Sequence, residues 1–116
     1  MIRVKDKDKT IKYYEDVFGM KFMREHDLGD ATLFFLGYGS EPKSQQGANP
    51  DPEREGLLEL TWNHGTEKEE GKVYHDGNGD PQGFGHICVS VDDIDEACKR
   101  FDEKGVTWKK KLTDGR

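Results

Sequence analysis

The sequence predicts an α+β chain of paired βαβββ modules, the second of them incomplete. Two observations carry that prediction. Short apolar stretches alternating with period 2 are each followed by a capped stretch of helical periodicity. The same order of elements also occurs twice: Ile2 precedes Gly19 by 17 positions in the first copy, and Ile87 precedes Gly105 by 18 in the second. A repeat of this kind bears on the architecture before single elements are assigned.

The first copy opens with Ile2 and Val4 alternating with Arg3 and Lys5. Asp6 offers an N-cap to a helix on which Ile11, Tyr14 and Phe18 recur at helical spacing, and Gly19 suits its end. MKFMREH (20–26) and ATLFFLGY (31–38) read as strands about a turn containing Gly29 and Asp30, and LLELTW (57–62) reads as a further strand. A first βαβββ module is thus expected over 1–62, with a connecting loop over 63–83. The segments 39–56 and 64–80 are polar and rich in Gly, Pro, Asp or Glu, and are expected to lack regular structure over most of their length.

The second module, expected over 84–116, begins with an alternating strand at His86–Val91. Asp93 with Glu96 has capping-box spacing, and Ile94, Ala97, Cys98 and Phe101 mark a helical face. Gly105 ends that helix, and VTWKKK (106–111) reads as the next strand. Measured against the first copy, two C-terminal strands are missing.

The bulk numbers agree. A chain of 116 residues suits one domain of ordinary size. Ile, Leu, Val and Phe supply about a fifth of it, at the low edge for a folded domain, so a small or incomplete core is expected. The formal net charge is −6, which leaves no basic surplus for nucleic-acid phosphates; the run Lys109, Lys110, Lys111 is too short to change that. No apolar run approaches the ~20 residues that cross a bilayer, and MIRVKDKDK lacks the apolar region of a secretory signal. Cys88 and Cys98 read as reduced thiols rather than a bridge, so the expectation is a soluble, cytoplasmic protein.

Strand alternation sorts side chains between faces. Leu58, Leu60 and Trp62 share one face of their strand, and Leu57, Glu59 and Thr61 the other; Ile87, Val89 and Val91 stand opposite His86, Cys88 and Ser90. Arg3, Glu59 and His86 therefore fall on faces turned away from the helices. Carboxylate and neutral imidazole are ligands for zinc and nickel, but a tight site needs three or four such groups. Taken singly, Glu59 reads as a solvated charge and His86 as a hydrogen-bonded imidazole. His26, His64 and His75 lie at strand ends or in loops and carry no assignment. The glycines at 77, 79, 83 and 85 do not form a phosphate loop, because no Lys-Ser/Thr pair or helix follows them.

The stretches LLELTWNHGTE (57–67), YHDGNGDPQGFGHI (74–87) and DEACKRFDEKGVTWKKK (95–111), with IRVKDKDKTIKYYEDVFGMKF (2–22) upstream, resemble glyoxalase I, the lactoylglutathione lyases. That family belongs to the vicinal oxygen chelate group, whose paired βαβββ modules match the repeat. The resemblance implies that Glu59 and His86 are metal ligands, with zinc favoured by the long insertions at 39–56 and 63–80 and nickel as the alternative. The family's other two ligands would fall two positions before Met1 and beyond Arg116, so the resemblance implies a chain shortened at both ends and a fragment of weak activity or none.

It further implies that Arg3 and Asn63 hold the γ-glutamyl end of glutathione, and that Lys110 and Gly115 meet its glycine end. Gln82 stands where better-known members carry arginine, which removes a charge from that contact. The implied reaction isomerises the methylglyoxal–glutathione hemithioacetal to S-lactoylglutathione. Glu59 would act as an assisting base, with the principal base on a strand this chain lacks, and a homodimer or tandem-module partner would complete the site. The alternatives are a non-catalytic ligand-binding module, or another metal-dependent enzyme of the same fold, such as a dioxygenase or an epimerase.

Overall fold

The computed structural model describes residues 1–39 and 56–115. The chain divides into two compact units, Met1–His75 and Asp76–Arg116.

The first unit is a four-stranded mixed sheet with one helix. Its elements are β1 (Ile2–Val4), α1 (Lys7–Phe18), β2 (Lys21–Asp27), β3 (Ala31–Gly37) and β4 (Leu58–Asn63). The strand order is β1-β4-β3-β2; β1 runs parallel to β4, and the other pairs are antiparallel. The βαβββ order is as the sequence predicts, and the strand bounds differ from those expected by a residue or two at the ends.

Local chemistry accounts for the element boundaries. The Asp6 carboxylate accepts from the Lys9 amide at 3.0 Å, closing the first turn of α1. Gly19, at φ 67, takes the left-handed conformation that ends the helix, and its amide donates to Glu15 O at 3.1 Å. The β2–β3 turn closes through Leu28 N to Ala31 O at 2.8 Å, while the Asp27 carboxylate accepts from Gly29 N at 2.7 Å.

One face of the sheet packs on α1. Val4, Met20, Phe34, Leu36 and Leu60 are buried there, with Ile2, Leu58 and Trp62 from the strands and Ile11, Tyr14 and Phe18 from the helix against them. This is the face on which the alternation places Leu58, Leu60 and Trp62. A bulge between Phe22 and Arg24 resets the register of β2, so Phe22 stands opposite Leu36 while Arg24 stands opposite Phe35.

The second unit carries α2 (Ile94–Glu103) and a 3-10 turn at Leu112–Asp114. The Asp93 carboxylate caps α2, accepting from the amides of both Asp95 and Glu96 at 2.9 and 3.0 Å. The expected strands at 86–91 and 106–111 are not formed. The reason is that a strand exists only by pairing: the alternation of Ile87, Val89 and Val91 is a period that a ladder can use, and no described residue offers one. None of the described residues of this unit is fully buried, and Ile87, Val91, Ile94 and Leu112 are exposed. Phe101 packs on Trp108 at a centroid distance of 5.9 Å. Asp102 accepts from Trp108 Nε1 and from Lys111 Nζ, both at 2.8 Å.

Cys88 and Cys98 are free thiols. Among the described residues, no helix is long and apolar enough to cross a membrane. Residues 64–80 hold one 3-10 turn, Thr66–Lys68, and otherwise no helix or strand, as expected. The other expected loop, 39–56, lies almost wholly outside the described residues.

Candidate functional site

The sheet face opposite α1 is the one the strand parity assigns to polar groups. Across it run registered rows. Arg24 stands opposite Phe35, which stands opposite Glu59; His26 stands opposite Leu33, then Thr61, then Arg3. Side chains in such rows alternate faces together, so Arg3, Arg24, His26, Glu59 and Asn63 all belong to the face away from α1. The guanidinium of Arg24 lies over the Phe35 ring, 5.8 Å from its centroid.

Glu59 is half-buried in β4, and its side-chain carboxylate has no hydrogen bond or ion pair among the described residues. A carboxylate held by a strand with its oxygens uncommitted has the donor chemistry of a ligand for a divalent cation, or of a base. His86, in the second unit, is exposed and lies in a segment without regular structure, so strand parity assigns it no face there. Its imidazole also has the right donor chemistry. Among the described residues, no three His, Cys, Asp or Glu side chains gather into a metal-holding group.

Arg3 and Asn63 are brought together. Arg3 Nη1 donates to Asn63 Oδ1 at 2.5 Å, joining residues 60 positions apart in the chain. The Tyr74 hydroxyl donates to the same oxygen at 3.2 Å. Tyr74 carried no assignment from the sequence, because a tyrosine in a long polar loop has no periodicity to place it. Arg24 and Phe35 were missed for a different reason: the bulge in β2 sets which residue faces Phe35, and a bulge leaves no mark in the alternation.

Lys110 and Gly115 line one groove of about 560 Å³ in the second unit, with Ile94, Cys98, Trp108 and Lys111 among its other walls. Gln82 is exposed on a loop closed by Gly83 N donating to Gly77 O at 3.0 Å and by Asn78 Nδ2 donating to Gly85 O at 3.0 Å. Glycine is required at 77: φ is 77°, and a Cβ there would sit 1.9 Å from the Phe84 carbonyl oxygen.

Residues 1–116 match the Glyoxalase/Bleomycin resistance protein/Dioxygenase superfamily. A lactoylglutathione lyase of Schizosaccharomyces pombe is 51% identical over 119 residues, covering 100% of this chain and 37% of that protein. One of Pseudomonas putida is 44% identical over 125 residues, covering 100% of this chain and 70% of that protein. The chain therefore spans little more than a third of the yeast relative. Among solved structures, the trypanothione-dependent glyoxalase I of Leishmania major aligns with a TM-score of 0.63 at 29% identity, over 96% of this chain and 69% of that one. The chain belongs to the Glyoxalase/Bleomycin resistance protein/Dioxygenase superfamily and, within it, to the lactoylglutathione lyase (glyoxalase I) family.

Proposed function

We propose that the protein acts as a lactoylglutathione lyase, converting the hemithioacetal of methylglyoxal and glutathione to S-lactoylglutathione in the cytoplasm. The observation that carries the reading is the coupled pair Arg3–Asn63 on the sheet face away from α1. A guanidinium and an amide held side by side are donors suited to a carboxylate such as that of the γ-glutamyl residue.

In this reading Lys110 and Gly115 meet the glycine carboxylate, and Gln82 offers an amide where an arginine would add charge. Glu59 and His86 are metal ligands, each serving a different half-site, so that a homodimer or tandem-module partner completes the constellation. Zinc is the favoured ion and nickel the alternative; when bound, it supplies the Lewis acidity that the enediolate charge requires. Glu59 assists the transfer of the proton between the two former carbonyl carbons of the substrate. The division into a first module at 1–62, a connection at 63–83 and a second module from 84 onward belongs to the same proposal.

The test is to assay the 116-residue chain with methylglyoxal, glutathione and zinc or nickel, beside a chain joined to the flanking segments of the Pseudomonas putida relative. The expected result is metal-dependent conversion in the joined chain that Glu59→Gln or His86→Gln abolishes. Conversion that survives both substitutions would exclude this assignment of the ligands.

A further inference from the structure

We propose that Tyr74 is a positioning residue for substrate binding, fixing the side-chain amide of Asn63 so that its NH2 group faces the ligand. The proposal rests on the reading of Arg3 and Asn63 as a carboxylate site, and assigns to that site a third residue.

The hydrogen-bond chemistry leaves one arrangement. A guanidinium can only donate, so the Asn63 amide atom facing Arg3 Nη1 is the oxygen. The Tyr74 hydroxyl meets that same oxygen and must donate to it. Oδ1 thus has two donors, which use both of its lone pairs. The Asn63 NH2 group has no partner among the described residues and remains available as a donor beside the other N–H groups of Arg3. The result is a donor-only cluster, which is what a carboxylate requires and what a neutral acceptor-donor group would not select.

The fold holds Tyr74 in place for this. After β4 the chain turns back on itself: the Thr66 hydroxyl donates to Lys5 O at 2.8 Å and to Asn63 O at 2.9 Å. Farther on, Lys5 Nζ donates to Gly71 O at 2.8 Å. These bonds tie 66–71 to the ends of β1 and β4, and three residues later the half-buried Tyr74 ring delivers its hydroxyl to Asn63. With that hydroxyl removed, Arg3 alone would orient the amide, and Arg3 is itself exposed. An amide less firmly held must be ordered by the ligand on binding, at a cost in affinity.

The experiment compares wild type with Tyr74→Phe, which keeps the ring and removes the hydroxyl. Binding of two probes is measured by calorimetry: S-hexylglutathione, and S-hexylcysteinylglycine, which lacks the γ-glutamyl carboxylate. Tyr74→Phe is expected to weaken S-hexylglutathione about three- to tenfold, the loss of one ordinary hydrogen bond, and to leave S-hexylcysteinylglycine within about twofold. Equal weakening of both probes would show a general structural role and overturn the proposal. Unchanged S-hexylglutathione binding would overturn it while leaving the glutathione reading intact. Wild type that binds neither probe, or binds both alike, would overturn the glutathione reading itself, and the role of Tyr74 with it.

Discussion

Glu59 stands directly opposite Phe35 in the β3–β4 ladder, on the sheet face away from α1. Phe35 is buried, and the Arg24 guanidinium covers it from the β2 side, so a rigid apolar platform lies beside the one acidic side chain of β4. The carboxylate is therefore backed by packing while its oxygens stay uncommitted.

That arrangement separates function from stability. Glu59→Gln keeps the shape of the side chain and breaks no hydrogen bond among the described residues. Its effect on unfolding free energy is expected to be within about 0.5 kcal/mol, as for substitutions that disturb no packing or bonding. If Glu59 is the assisting base and ligand proposed above, the same substitution is expected to lower hemithioacetal turnover in an active, joined chain by roughly 100-fold or more. Urea unfolding and initial rates on the same variant check both halves.

Leu60, one residue away, is expected to behave in the opposite way. Its side chain is 0% exposed and lies in the core under α1 with Val4, Phe34 and Leu36. Leu60→Ala is expected to cost about 2–5 kcal/mol, through lost burial and the cavity left behind. In a unit with one thin core, that is enough to shift the denaturant midpoint sharply or to unfold the unit. Chemical denaturation followed by Trp62 fluorescence would show it.

The two helix caps should differ in consequence. Asp6→Ala removes one capping bond from α1 and is expected to cost about 1 kcal/mol, leaving a helix still held by Ile11, Tyr14 and Phe18 against the sheet. Asp93→Ala removes two from α2, a ten-residue helix with no buried residue. Helices of that length are marginal without packing. The expected outcome is a measurable loss of helical circular dichroism for Asp93→Ala, and little or none for Asp6→Ala.

Acid should loosen the Asp102 cluster. The hydrogen bond from Lys111, then that from Trp108, holds the Asp102 carboxyl below its ordinary value of 3.8. A carboxyl with a lowered folded-state value contributes stability above its unfolded value and loses it as pH falls through the folded one. The contribution is thus complete at neutral pH and declines below about pH 4. Trp108 fluorescence is expected to change across that range in wild type and to be flat there in Asp102→Asn. Because the group is exposed, added salt should reduce its contribution.

What the sequence alone determined is the set of properties written in local periods and caps. The alternation in LLELTW separates Leu60 from Glu59. Asp6, Gly19 and Asp93 mark helix ends by their own hydrogen-bonding and conformational preferences. Those signals are short-range, so they survive without knowledge of the fold. Tertiary structure decided the rest. Whether 86–91 forms a strand depends on a neighbour to pair with, which no period within the segment can supply. Which residue of β2 meets Phe35 depends on a bulge, and the meeting of Arg3 with Asn63 and Tyr74 depends on β1 lying parallel to β4 and on the chain folding back through Thr66 and Gly71. These are contacts between residues far apart in sequence, and their energies exist only once the chain has closed the loops between them.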